Sequence, residues 1–363
     1  MNKVKIGIIG CGNISSIYME NIPNFNHLSL AACADLDVER ARAQAEKYQI
    51  PKAYSVQELL DDPDIDLVIN LTIPEAHAEV CIQALKAGKH VYVEKPLAVT
   101  PEEAKTILDV AKEEGMLVGG APDTFLGAGI QTALELIENG EIGVPIGASA
   151  FTIGRGHEHW HPDPVFYYKK GGGPMFDLGP YYLTALVALL GPIKRIAGSV
   201  RTSYPERTIL SKPKSGEKIT VDVPTHISGT IDFESGAIGS ITTSFDAFGG
   251  STLPPIEIYG SEGTLLVPDP NLFGGAVQLR KKDEDHFTDI PLTHQFDGND
   301  RGVGVADMAA AILNKRTHRA NGDLAFHVLE AMHGFHDASE GGKYYHMESS
   351  CEKPEPFPKD NQF

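Results

Sequence analysis

The run Gly7-Ile8-Ile9-Gly10-Cys11-Gly12-Asn13-Ile14-Ser15 begins six residues into the chain and constrains all that follows. Val4, Ile6 and Ile8 lead into it as a buried strand, and Ile14, Ile17 and Tyr18 follow at helical spacing. A strand that stops in glycines and restarts as a helix leaves backbone N–H groups free, here on Gly12, Asn13 and Ile14. Such donors suit a pyrophosphate. Gly10 permits the tight turn, Gly12 lets phosphates approach the backbone, and Ser15 takes the small, helix-packing position. The segment Leu28–Ala34 reads as a second strand ending at Asp35. A carboxylate there accepts hydrogen bonds from ribose hydroxyls and repels a 2′-phosphate, so NAD is favoured over NADP. Arg40 and Arg42 are the residues that would admit NADP.

The first 120 or so residues alternate strand and helix signals. A helix is expected over Val38–Tyr48, and another over Val56–Leu60 behind a Ser55 cap. A buried strand covers Leu67–Leu71, a helix Glu75–Ala87, and a strand His90–Val93. Thr100, Pro101 and Glu103 have the spacing of a capping box. Met116–Gly119 closes the set. This order implies an α/β fold with a doubly wound parallel sheet over residues 1–122, binding ligands beyond the carboxyl ends of its strands. From residue 123 the character changes. After a helix over Gly129–Asn139, strands are expected at Ile146–Ile153, Ile193–Val200, Thr225–Phe233, Ala237–Phe245 and Pro255–Tyr259, with a hairpin turn at Phe233–Ala237. Few helices separate them, so an α+β domain with an open, largely antiparallel sheet is expected over 123–363. Helical signals return at Val303–Leu313 and Leu324–His336, and Ser349–Phe363 reads as extended.

The chain has 363 residues, 42% of them hydrophobic and 22% charged, as in globular proteins. Its net charge of −18 argues against nucleic acid or an anionic membrane as partner. The four cysteines, Cys11, Cys33, Cys81 and Cys351, have no disulfide or metal spacing and read as free thiols in a reducing compartment. The first strand starts at once, and no apolar run has the length of a membrane span. A cytoplasmic location is the expectation.

Glu94-Lys95-Pro96 ends the strand His90–Val93. An unpaired lysine is costly to bury, so Lys95 reads either as a proton relay to a substrate hydroxyl or carbonyl, or as one half of a structural ion pair.

The glycine turn, Asp35, Thr72-Ile73-Pro74-Glu75-Ala76-His77, Glu94-Lys95-Pro96 and Gly171-Gly172-Gly173-Pro174-Met175-Phe176-Asp177-Leu178-Gly179 together resemble the Gfo/Idh/MocA oxidoreductase family. The resemblance covers nearly the whole chain. It implies an N-terminal Rossmann domain and a C-terminal substrate-binding and oligomerisation domain with an open sheet. The implied reaction is NAD(P)-dependent oxidation of a sugar, inositol or related alcohol by a homodimer or homotetramer. By position, Lys95 corresponds to the family's catalytic lysine and Asp177 to its motif aspartate. Thr72, Pro74 and His77 fall on the loop beside the nicotinamide, with Glu94 and Lys95 near it, although His77 also reads as the start of its helix. Within the resemblance, a redox-neutral NAD-dependent glycoside-cleaving enzyme and a dinucleotide-sensing regulator without turnover are the alternatives.

Two departures stand out. The family pattern has His four residues after the aspartate, where this chain has Tyr181, and Pro180 just before it interrupts the helical ladder. Tyr181 reads either as a phenolic relay or as a wall of the pocket. Relatives carry arginine near Pro122–Phe125, where this chain has none. The loop Gly154–Pro162 holds His157, His159 and His161 at alternate positions plus the only Trp of the chain. If extended, it would place three imidazoles on one face. The spacing matches no common zinc motif, so no metal is expected. Trp160 offers a ring face to a sugar, and Arg155, His157 and His159 offer donors to its hydroxyls. A surface loop is the alternative.

Overall fold

A computed structural model describes residues 3–359, which fall into two compact units. The first takes the chain up to Leu126, returns for Gly298–Leu329 and takes it again from Phe357; the second holds Gly127–Asp297 and Glu330–Pro356. The expected single boundary after residue 122 therefore separates the first crossing but not the return of the chain.

In the first unit the strands are β1 (Val4–Ile9), β2 (Leu28–Ala34), β3 (Lys52–Tyr54), β4 (Leu67–Asn70), β5 (His90–Val93) and β6 (Val118–Gly120). Among the described residues they form one parallel sheet in the order β3-β2-β1-β4-β5-β6. Strand order reverses between β1 and β4, the switch point at which such sheets take ligands. Ile6, Ile8, Ile9 and all of β4 are buried, as the continuous apolar runs of a sheet covered on both faces require. Between strands run α1 (Ser15–Asn21), α2 (Val38–Tyr48), α3 (Val56–Asp61), α4 (Pro74–Lys86) and α5 (Pro101–Glu114). The expected caps are present. Ser55 and Glu58 close one capping box and Thr100 and Glu103 another, each satisfying helix-start N–H groups that have no intrahelical acceptor.

The second unit begins with α6 (Ala128–Glu138) and β7 (Pro145–Ile153), then α7 (Pro174–Leu190) and β8 (Ile193–Arg201). A two-stranded ribbon of β9 (Glu206–Thr208) and β10 (Lys218–Thr220) follows. The remaining strands are β11 (His226–Phe233), β12 (Ile238–Ser244), β13 (Ile256–Gly260), β14 (Gly263–Val267), β15 (Val277–Lys281), β16 (Thr288–Ile290) and β17 (Tyr345–His346). The large sheet runs β16-β15-β14-β13-β7-β12-β11-β8-β17, and among the described residues every pairing but that of β12 with β7 is antiparallel. The turn at Phe233–Ala237 forms as expected, with Gly236 at φ +90°. Helix α7 runs unbroken through Pro180 and is buried on nearly every side against this sheet. Burial holds the helix together where the missing Pro180 N–H would weaken it.

Of the two late helices, α8 (Val303–Asn314) packs on β6 in the first unit, while α9 (Gly322–Gly341) passes from the first unit to the second at Glu330. Ser349–Lys359 forms no helix or strand; the rest of the expected extended tail lies outside the described residues. No helix among the described residues is long and apolar enough to cross a membrane.

Candidate active site

The glycine turn is held from beneath by β2. Gly10 N donates to Ala34 O at 2.9 Å, and Cys11 N donates to Asp35 Oδ2 at 2.8 Å. The other carboxylate oxygen of Asp35 accepts from Asp37 N at 2.9 Å and from Arg40 Nη1 at 3.4 Å. Asp35 thus braces the turn in addition to any contact with a ribose. Arg40 stands half-exposed beside it. Gly12 faces open space: a methyl group built there meets nothing within 4 Å. That clearance, with Gly12, Asn13 and Ile14 ahead of α1, fits the pyrophosphate of a dinucleotide.

At the carboxyl ends of β4 and β5, sequence reasoning missed the residue that organises the loop. Asn70 is fully buried; its Oδ1 accepts from Thr72 N at 3.2 Å and Thr72 Oγ1 at 2.7 Å, and its Nδ2 donates to His77 O at 3.1 Å. A polar residue closing an otherwise apolar strand was the available signal. His77 is 1% exposed, and both its ring nitrogens face backbone carbonyls, Nδ1 to Pro96 O at 2.7 Å and Nε2 to Thr72 O at 3.2 Å. The expectation of His77 at the cofactor is corrected here. The shorter contact is the hydrogen bond, Nδ1–H donating to Pro96 O and tying the start of α4 to the segment after Lys95, while the Thr72 carbonyl closes off Nε2. Burial lowers its pKa, so the ring is neutral at pH 7.

Glu94 accepts from Lys95 N at 3.0 Å and from the buried Tyr18 hydroxyl at 2.9 Å. Lys95 is half-buried, with its backbone N–H bonded to Glu94 and the carbonyl of the following Pro96 held by His77. Gly10, Gly12, Asp35, Thr72, Pro74, Glu94 and Lys95 therefore gather at the strand ends around the β1/β4 switch point. Asp123, in the segment where the family arginine is missing, is 1% exposed and accepts from Gly302 N at 2.8 Å and Gly304 N at 3.0 Å. Burial raises its pKa to about 6.

In the second unit, Gly173 caps α7 at φ +91°, with no room for a side chain because a Cβ would lie 2.9 Å from Pro224 O. Asp177 sits in the first turn of α7 and Tyr181 one turn on, 7% exposed. The loop Gly154–Pro162 is not extended. It folds as a turn, Trp160 N and His161 N both donating to His157 O, so the three imidazoles do not line one face. The cause is Glu158, pulled 95% out of solvent by four partners. Its carboxylate meets the Tyr168 hydroxyl and Arg207 Nη1 (2.6 Å), and its carbonyl accepts from Leu210 N and Ser211 N. Arg207 also meets Asp246 and Phe245 O. Glu158 and Arg207 are 49 residues apart, and no sequence spacing announces the pair.

This fold brings His157 to Asp177, with Nε2 2.8 Å from Oδ2. Trp160 is 55% exposed and packs edge-on against His157. The Arg155 side chain is exposed, and its carbonyl accepts from Arg207. His159 is half-buried with Nδ1 shielded and unpartnered. Among the described residues no three His, Cys, Asp or Glu side chains are grouped to hold a metal.

Residues 4–120 match the family model described as an oxidoreductase family with an NAD-binding Rossmann fold, and residues 130–266 match the GFO/IDH/MocA C-terminal domain. The chain belongs to the Gfo/Idh/MocA oxidoreductase family. Among its relatives, the myo-inositol 2-dehydrogenase of Thermotoga maritima is 27% identical over 264 residues, 72% of this chain and 75% of the relative. The levoglucosan dehydrogenase of Pseudarthrobacter phenanthrenivorans is 28% identical over 291 residues, 73% of this chain and 74% of the relative. A levoglucosan dehydrogenase structure in complex with NADH and L-sorbose shares the fold, with TM-score 0.82 and 23% identity over 96% of this chain and 99% of the other. This Gfo/Idh/MocA protein is thus an oxidoreductase with a dinucleotide-binding Rossmann unit.

Proposed function

We propose that this oxidoreductase oxidises a secondary hydroxyl of a sugar, inositol or related polyol, with NAD as acceptor. The observation that carries the reading is the fixing of the Lys95 backbone at the end of β5, by Glu94 on one side and by His77, through Pro96, on the other. A lysine so placed is a general base for a hydroxyl. The relatives named for inositol and levoglucosan dehydrogenation support the substrate class.

The bound nicotinamide supplies the hydride acceptor. Lys95 takes the hydroxyl proton as the carbon loses its hydride, so the alcohol becomes a carbonyl. Asp177 and Tyr181 hold substrate hydroxyls, with Trp160 offering a ring face and Arg155 and His159 polar contacts. Gly10, Gly12, Asn13, Ile14 and Asp35 hold the dinucleotide, with Thr72, Pro74 and Glu94 on the nicotinamide side. Asp35 supports NAD over NADP, since its buried carboxylate repels a 2′-phosphate. Assembly as a homodimer or homotetramer and work in the cytoplasm accompany this reading; the buried free thiols of Cys11, Cys33 and Cys81 suit a reducing compartment.

The test is Lys95→Arg beside Lys95→Ala, assayed for NADH formation across inositols, aldoses and glycosides. Arginine keeps the charge but does not exchange its proton, so both variants should lose at least about a hundredfold in kcat while binding NAD. Near-normal turnover of Lys95→Arg refutes the base.

A further inference from the structure

The pairing of His157 with Asp177 crosses between two elements that the sequence separates by 20 residues. The imidazole is gripped by rings: its centroid lies 3.9 Å from that of Tyr167, nearly stacked, with Phe245 edge-on at 4.8 Å and Trp160 at 5.5 Å. Its Nδ1 is closed to solvent and has no partner. A carboxylate only accepts, so the proton between them sits on Nε2. The ring therefore has one polar connection, and it goes to Asp177.

The backbone under the ring is equally constrained. His157 N donates to the Tyr168 hydroxyl at 3.3 Å, and that hydroxyl in turn bonds the Glu158 carboxylate. Arg207, 3% exposed at its side chain, links Glu158 to Asp246, and Asp246 accepts from Thr225 at 2.7 Å. This buried network sets the turn that presents the imidazole to α7. A donor held this firmly loses little freedom on bonding, and a hydrogen bond to an ionised acceptor is among the stronger ones.

We propose that His157 is a positioning residue for Asp177 and not a contact to substrate. Its Nε2–H occupies Oδ2 of the carboxylate and so fixes the plane of Oδ1 as well. The inference rests on the reading above that Asp177 takes part in the reaction.

Three variants separate the possibilities. His157→Phe keeps a flat ring against Tyr167, Phe245 and Trp160 but deletes the donor; His157→Gln restores an N–H near the Nε2 position; Asp177→Asn removes the acceptor charge. In the full-length enzyme, with NAD and the sugar or inositol selected in the substrate screen, His157→Phe should lose about 10- to 100-fold in kcat, the worth of one charge-assisted bond. The KM for NAD should not move, and His157→Gln should regain most of the loss. The double variant His157→Phe/Asp177→Asn should be no slower than Asp177→Asn alone, because the first residue acts only through the second. Losses that multiply, a wild-type kcat in His157→Phe, or a loss confined to the KM of the sugar would overturn the proposal. Nitrogen NMR of the histidine-labelled enzyme needs no substrate: the His157 ring should carry its proton on Nε2 and respond to Asp177→Asn. A proton on Nδ1, or no response, overturns it too. An Asp177→Asn enzyme with full turnover would instead refute the role of Asp177, while the NMR signal of the pair would persist.

Discussion

Gly10 and Gly12 look alike in the sequence, yet the structure assigns them different duties, and alanine at each should fail differently. At Gly10, φ is +102°, and a Cβ would lie 2.6 Å from both the carbonyl carbon and the oxygen of Leu71 and 2.9 Å from Thr72 N. The backbone conformation alone costs about 1–3 kcal/mol for an L-residue. The contacts fall about an ångström inside normal carbon separations, and relieving them adds about 1–3 kcal/mol. The neighbour cannot simply withdraw, because Leu71 N is bonded to Ile9 O at 2.8 Å and Thr72 N to Asn70. Gly10→Ala should therefore destabilise the protein by about 2–6 kcal/mol, a fall in Tm of about 10 °C. At Gly12 nothing lies within 4 Å and φ is not in the left-handed region, so Gly12→Ala should melt as wild type or slightly higher. Its methyl group instead stands where a phosphate would approach the backbone to about 2.9 Å. One or two charge-assisted bonds lost predict an NAD affinity weaker by about 10- to 1000-fold. Thermal melting and calorimetric NAD titration on both variants check this. A Gly12→Ala protein that binds NAD normally would refute the placement of the pyrophosphate, and a Gly10→Ala protein that melts normally would refute the steric account.

Asp35→Ser should weaken NAD and raise the relative kcat/KM for NADP, with Arg40 then left to Asp37 at 3.8 Å; a wild type already preferring NADP would sink the assignment. Tyr181→Phe, which deletes only the hydroxyl proposed to hold the substrate, should lower kcat/KM for the sugar, and Tyr181→His should recover part of the loss; a silent Phe variant makes Tyr181 a wall. Asp123, with its pKa raised to about 6 by burial, favours the fold while protonated, so its contribution is full below about pH 4 and is lost as pH rises through 6. Urea unfolding should accordingly show Asp123→Asn gaining up to about 3 kcal/mol on wild type between pH 4 and pH 7, and a pH-independent difference would refute the burial argument.

What was legible in the sequence is what local rules govern. The glycine turn, the first-sheet strands other than β3, the cap at Ser55 and the capping box at Thr100 depend on neighbours within a few residues, and they form where the spacing puts them. The strands β14, β15 and β16 at one end of the sheet carry no such local signal: β15 and the edge strand β16 are short, with charged and polar exposed positions, and are strands only because a neighbour supplies the ladder.

Family membership and the place of Lys95 at the end of β5 could be read from contiguous motifs, because a strand end positions its own residues. Three matters were left to the tertiary structure. The return of residues 298–329 to the first unit follows from packing on β6, which no local pattern encodes. The turn conformation of Gly154–Pro162 is imposed by the buried Glu158–Arg207 pair, and the extended reading failed because that partner comes from 49 residues away. The approach of His157 to Asp177 follows from the same pair. Periodicity records which face of an element is buried, but it carries no information about which distant charge will meet a loop, so these contacts existed only once the chain had folded.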